Sequence, residues 1–256
     1  MKLHYQINGH GRPVLIIHGL FGSLDNWRMI VKQLSEHAQV ITVDLRNHGR
    51  SPHSTEQNYK LMAEDIAELL QELRISNIDL IGHSVGGKVA MAFSHYYPDY
   101  CNKLVVVDIA PKQYQQEHDV IFKALLSLDL SLYSKRNEVD AVLAKTITDK
   151  AIRQFLLMNL DITGDMVTWR INLQGLFDNY PQLLQAVCEN QIITIPACFI
   201  RGGRSNYILN EDIEQISSLY SNSEVHTIEK AGHWVHAEQP QAFLIKVNEF
   251  LDYDKA

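Results

Sequence analysis

Four short runs in the first 110 residues are rich in β-branched residues and apolar on both faces: Val14 to His18 (VLIIH), Val40 to Leu45 (VITVDL), Ile78 to Gly82 (IDLIG) and Leu104 to Ile109 (LVVVDI). A strand with two apolar faces must have both covered, which is the condition of a parallel sheet carrying helices on each side. Between the second and third runs, Tyr59, Met62, Ile66, Leu69, Leu70 and Leu73 recur at helical spacing among polar residues, so Tyr59 to Leu73 reads as a crossover helix. The alternation stops near Pro111 and gives way to more polar, mostly helical sequence through about Asn190. It resumes with a strand at Pro196 to Ile200 (PACFI), a helix opening at Asn210, a strand at Glu224 to Ile228 and a last helix after Pro240. The expected architecture is α/β, a mostly parallel doubly wound sheet. Residues 1–111 and 191–256 form its core, and residues 112–190 form a helical cap, or lid, inserted in it.

A chain of 256 residues fits one large core plus a modest insertion. Its 23 basic and 30 acidic residues give a net charge of −7, and no basic run exceeds Lys135-Arg136, so a nucleic acid is excluded as an expected partner. The three cysteines, Cys101, Cys188 and Cys198, are an odd number without CxxC spacing, which suggests neither a disulfide framework nor a zinc site. No stretch has the apolar length of a signal peptide or a membrane span, so no membrane partner and a cytoplasmic location are expected.

The chemistry centres on Gly82-His83-Ser84-Val85-Gly86-Gly87, a GxSxG pattern. Roughly one chain in ten of this length carries that pattern by chance, so its context decides. Here it follows a buried strand and opens a helix, Val85 to Tyr97, with a first turn of small residues, the setting of a nucleophile elbow. A serine hydroxyl needs an adjacent base. His233, in Ala231-Gly232-His233-Trp234 after the final strand, lies where loops at the carboxyl edge of a parallel sheet converge. His236 forms an HxxH pair with it but lacks further ligands at metal spacing.

For the carboxylate that orients the base, two regions compete. Around the loop Arg201 to Asn206, serine (Ser205) stands where aspartate is common, and Glu211 and Asp212 fall at a helix start where acidic residues serve as caps. Asp108 closes an apolar strand and is costly to bury without a partner; it is assigned as the acid. His18-Gly19-Leu20-Phe21-Gly22 after the first strand supplies an oxyanion hole, with the N–H groups of Leu20 and Val85 as donors.

These residues resemble the α/β-hydrolase superfamily over nearly the whole chain. More narrowly, HGLFGSLDNW (18–27), VDLRNHGRSP (43–52), IGHSVGGK (81–88), VVVDIAP (105–111) and AGHWVHAEQP (231–240) resemble the YbfF-like bacterial esterases and the ABHD11-type hydrolases. The resemblance implies an α/β-hydrolase fold, a catalytic acid at Asp108, and Ser205 as part of the same pattern. It also implies hydrolysis of short to medium acyl esters, with thioesters as a further substrate class. The cap matches more loosely, through Trp169-Arg170 and Asp178-Asn179-Tyr180. The expected reaction is two-step acyl transfer from a small-molecule ester or thioester to water, without a cofactor; the oligomeric state is open. A carbon-carbon bond hydrolase or lyase with the same triad, or a ligand receptor, is the alternative. Asp44 to Ser51 reads as a loop tied to the core. Phe21, Trp169, Ile208 and Trp234 are candidates for either an acyl pocket or ordinary packing.

Overall fold

The structure is a computed structural model that describes residues 1–164, 166–188 and 191–253. Its main sheet has seven strands: β1 (Tyr5–Asn8), β2 (Pro13–Ile17), β3 (Gln39–Val43), β4 (Ile78–His83), β5 (Cys101–Val107), and two later strands, β8 (Ala197–Gly202) and β9 (Ser223–Ile228). The spatial order is β1-β3-β2-β4-β5-β8-β9, parallel throughout except that β1 runs antiparallel on β3. The sequence reading missed β1, whose four residues are mostly exposed and carry no apolar periodicity.

Because side chains alternate along a strand, each β-branched run feeds two cores. Leu15, Ile17, Ile41, Val43, Leu80, Leu104, Val106 and Phe199 face one side, where α2 (Tyr59–Glu72) and α3 (Val85–Tyr96) pack. Val14, Ile16, Val40, Ile81, Val105, Val107, Cys198 and Ile200 face the other, under α1 (Arg28–Leu34) and α11 (Pro240–Leu251). Each such Leu, Ile or Val contributes about 1.5–3 kcal/mol on burial. α2 begins where expected because the Asn58 side chain caps it, accepting the Leu61 N–H at 2.9 Å. Two further helices, α9 (Asp212–Leu219) and the short α10 (Val235–Glu238), flank β9 in sequence.

Between β5 and β8 the chain leaves the sheet. It forms α4 (Asp119–Leu126), α5 (Arg136–Leu143), α6 (Lys150–Leu157), α7 (Leu173–Asp178) and α8 (Tyr180–Leu184), with an antiparallel hairpin of β6 (Leu160–Thr163) and β7 (Met166–Trp169) before α7. The hairpin was not legible as such, because only Leu160 and Val167 in it are buried and no alternation of two survives. The boundary expected at Asn190 lies outside the described residues. Among the described residues no helix is long and apolar enough to cross a membrane.

The contact between β2 and α3 is so close that a Cβ on Gly86 would lie 2.4 Å from the His18 carbonyl oxygen and 2.5 Å from that of Ile17. Neither backbone can yield without moving a central strand. Gly86→Ala is expected to lower unfolding stability by about 3 kcal/mol, the upper end of overpacking costs, measured as a fall in the urea midpoint. A midpoint equal to wild type would show that strand and helix can part without cost.

Candidate active site

Ser84 occupies the single residue between β4 and α3, at φ 53° and ψ −122°. This region is unfavourable for any side chain with a Cβ and costs on the order of 1–3 kcal/mol. Glycines make the turn possible: a Cβ on Gly82 would fall 2.3 Å from the Gly86 carbonyl oxygen. The turn is held by Ser84 N–H donating to the Val107 carbonyl at 3.0 Å. The side chain stands at the first turn of α3, beside the free N–H groups of a helix start, and lines a cavity of about 330 Å³.

Asp108 follows β5, fully buried and itself at φ 51°. Its carboxylate takes three donors from three places. Oδ1 accepts the Gly202 N–H at 2.9 Å, and Oδ2 accepts the Ser205 hydroxyl and, at 2.7 Å, His233 Nδ1. With His233 held to the carboxylate through Nδ1, its Nε2 is directed away from Asp108. His233 also lines the cavity. Its backbone carbonyl accepts His83 Nε2–H at 2.8 Å, and its ring stacks on Tyr207 at 3.9 Å between centroids. The competing Asp212 is engaged elsewhere, bonded to Lys112 Nζ at 2.7 and 2.8 Å and to the Leu209 N–H.

The loop after β2 shows how Leu20 N–H is aimed. His18 Nε2 accepts the Leu45 N–H at 3.0 Å, so its Nδ1 carries the proton and donates to the Gly19 carbonyl at 2.8 Å. The Gly22 N–H donates to the same carbonyl at 3.0 Å. In a trans peptide the N–H points opposite to the carbonyl, so fixing Gly19 C=O turns the Leu20 N–H the other way. Gly19 lies so close to Ser84 that a Cβ there would be 3.2 Å from Ser84 Cβ.

Asp44 to Ser51 ties its loop down. Asp44 accepts the Leu24 and Arg50 N–H groups at 2.8 and 2.9 Å, and Arg46 makes a two-pronged bond to Asp65 at 2.7 and 2.9 Å. Asn47 reaches Asn172 at 2.9 Å, fastening the segment before α7 to the sheet. Of the apolar candidates, Phe21 and Trp234 line the cavity, whereas Ile208 is buried in the core and the partly buried Trp169 packs against it.

Lys88, one turn beyond Ser84, is buried and lies against the cavity. Its Nζ donates to the carbonyls of Lys112 and Gln185 at 2.7 and 2.6 Å and faces the rings of Tyr114 and Tyr59. Burial lowers its pKa to about 7. The sequence reading did not single out Lys88, His83, Tyr207 or His118, all of which line this cavity. For His83 and Lys88 the signal was present, since both flank the elbow; for Tyr207 and His118 nothing local marked them. His236 stacks on Trp27 at 4.0 Å between ring centroids. Among the described residues one group, Cys198, Glu224 and His226, brings three potential metal-ligand atoms within 4.8 Å of one another, and none of its members lines the cavity.

Comparison with known proteins matches residues 12–240 to a family model described as alpha/beta hydrolase fold. The chain is 36% identical to esterase YbfF of Escherichia coli, over 94% of this chain and 93% of that protein. It is 34% identical to the sn-1-specific diacylglycerol lipase ABHD11 of Danio rerio, over 95% of this chain and 79% of that protein. A solved structure, a marine microorganism esterase, superposes with a TM-score of 0.95 at 37% identity, covering 97% of this chain and 99% of that one.

Three buried histidines, His18, His83 and His236, line the cavity, and a fourth, His48, lies against His18 at 4.9 Å between ring centroids. Burial lowers the pKa of His18 to about 4 and of His48 and His236 to about 3, and drives His83 well below the usual histidine value. A folded-state pKa below the unfolded value of about 6.5 means the fold favours the neutral ring. The stability this supplies is complete above about pH 6.5 and is lost as pH falls toward 4, by up to about 1.4 kcal/mol per histidine per pH unit. Urea midpoints are therefore expected to be level from pH 7 to 8 and to fall steeply from 6.5 to 5. His236→Phe, which keeps a ring on Trp27, is expected to shallow that fall by about one proton's worth; an unchanged slope would count against this origin.

Proposed function

The chain belongs to the α/β-hydrolase family, and on that premise we propose that it is a serine carboxylesterase cleaving short to medium acyl esters or acyl thioesters through an acyl-enzyme. The reading is carried by one arrangement: a serine held on a strained strand-to-helix turn shares a cavity with a histidine whose other nitrogen is bonded to a buried carboxylate.

In the proposed mechanism Ser84 Oγ attacks the carbonyl carbon while His233 Nε2 takes its proton. The oxygen of the tetrahedral intermediate takes its negative charge against the N–H groups of Leu20 and Val85. The carbon–oxygen or carbon–sulfur bond to the leaving group then breaks, and the proton on His233 passes to that group. Water enters and attacks the acyl carbon as His233 takes its proton; the bond from that carbon to Ser84 Oγ then breaks, Oγ takes the proton from His233, and the acid leaves. Asp108 remains ionised throughout and stabilises the imidazolium.

Residues 1–111 and 191–256 act as the catalytic core, and residues 112–190 as a cap over the acyl-binding cavity. Ile121, Ile152, Phe155, Leu156 and Leu183 of that segment support this role by lining the cavity, as does the grip of Lys88 on Lys112 and Gln185. Three cysteines buried without disulfide partners fit a reducing compartment such as the cytoplasm.

Ser84→Ala is expected to reduce kcat for p-nitrophenyl butyrate on the order of 10⁶-fold; turnover near wild type would refute the nucleophile. Asp108→Asn is expected to cost roughly 10⁴-fold through loss of the productive histidine tautomer. A mild effect there beside a severe one for Asp212→Asn would move the acid. Comparing kcat/KM over p-nitrophenyl and acyl-CoA series of increasing chain length sets the acyl range and the preference between ester and thioester.

A further inference from the structure

His118, immediately before α4, presents a ring nitrogen that the proposed reaction does not use. Its Nδ1 lies 2.7 Å from the Tyr180 hydroxyl, and the Tyr180 oxygen also receives the His118 backbone N–H at 3.3 Å. Tyr180 is buried, and among the described residues Nδ1 is the one acceptor within reach of its hydroxyl proton. That proton therefore goes to Nδ1, which fixes the tautomer: His118 carries its own proton on Nε2, as a donor. Among the described residues the hydrogen bonds of His118 run through its backbone N–H and Nδ1 and none through Nε2, and the half-buried ring lines the cavity.

The place of this donor gives it meaning. The His118 ring centroid is 6.3 Å from that of Phe21, the residue after the oxyanion donor Leu20. Burial, with a smaller contribution from nearby His233, lowers the His118 pKa to about 4 and keeps the ring uncharged at neutral pH. The cavity wall as a whole is largely apolar, with Phe21, Ile121 and Phe155 among its residues and Gln115 and Glu117 as polar members close to His118 in sequence. A substrate filling this space displaces water from Nε2–H. A pure hydrocarbon chain leaves that donor unpaired, whereas an oxygen at the same point accepts from it.

We propose that His118 forms a polar subsite selecting esters that carry a second oxygen acceptor, an ether, hydroxyl or further carbonyl, over hydrocarbon esters of the same length. The subsite rests on the serine-esterase reading above. The acceptor belongs to the acyl chain or to the alcohol, and two substrate pairs separate these sources. On the acyl side, p-nitrophenyl 3-methoxypropanoate is compared with p-nitrophenyl pentanoate, in which a methylene replaces the ether oxygen. On the alcohol side, glycerol 1-monobutyrate is compared with propyl butyrate, following acid release.

The wild type is expected to favour the oxygen-bearing member of at least one pair by roughly five- to tenfold in kcat/KM. His118→Leu is expected to abolish that preference, and His118→Gln, whose amide can place a donor at similar reach, to retain most of it. Hydrolysis by the wild type without preference in either pair overturns the subsite, by a measurement that needs no variant. A preference that survives His118→Leu, or is lost equally in His118→Gln, overturns it too. If the wild type hydrolyses none of the four esters faster than Ser84→Ala does, the esterase reading fails and the subsite with it.

Discussion

The buried carboxylate of Asp108 is the interaction on which the functional edge of this protein depends. An ionised group with no exposed surface costs several kcal/mol unless it is paired, and it recruits its donors from the end of β8, from the loop after it and from the loop after β9. One charge thus draws the ends of separate strands toward a common point and gives His233 its orientation. Ser205, present where an aspartate could have stood, serves that charge as a hydroxyl donor. A second carboxylate there would have faced Asp108 as a like charge, so serine at 205 suits the position of Asp108.

Backbone strain gathers on the same edge. Phe21 after β2, Asn47 after β3, Ser84 after β4 and Asp108 after β5 all have φ between 51° and 66°, a region that side chains other than glycine rarely enter. Such conformations persist only where surrounding contacts over-determine them. Those contacts are visible: Asn159 holds the Phe21 carbonyl at 2.7 Å, Gln57 and Asn172 hold the Asn47 side chain, and the Val107 and Ile200 carbonyls hold the Ser84 and Asp108 N–H groups. Stability from two dry cores is spent on a rim of sharply turned loops.

Much of this was legible in the sequence because the signals were strong and local. A β-branched run apolar on both faces has few fates, and the expected strands match β2 to β5, β8 and β9 to within a few residues. GHSVGG marked the elbow because glycines must stand where backbones nearly touch. The silent parts lacked a periodic signal. β1 is four residues at an exposed edge, and the β6–β7 hairpin buries little beyond Leu160 and Val167. Tyr207 reaches His233, and His118 reaches the cavity, through folding of distant segments, and no spacing along the chain encodes either.

Lys88 carries a consequence for how a molecule enters. One amino group on α3, the helix that follows Ser84, grips the chain at Lys112, where it leaves the sheet region, and at Gln185, on its way back. A hinge at those two points would strand a cation in a dry niche between Tyr59 and Tyr114. Residues 113–184 are thus tied to α3 at both ends, and movement of that span against the sheet is confined to flexing between the two ties.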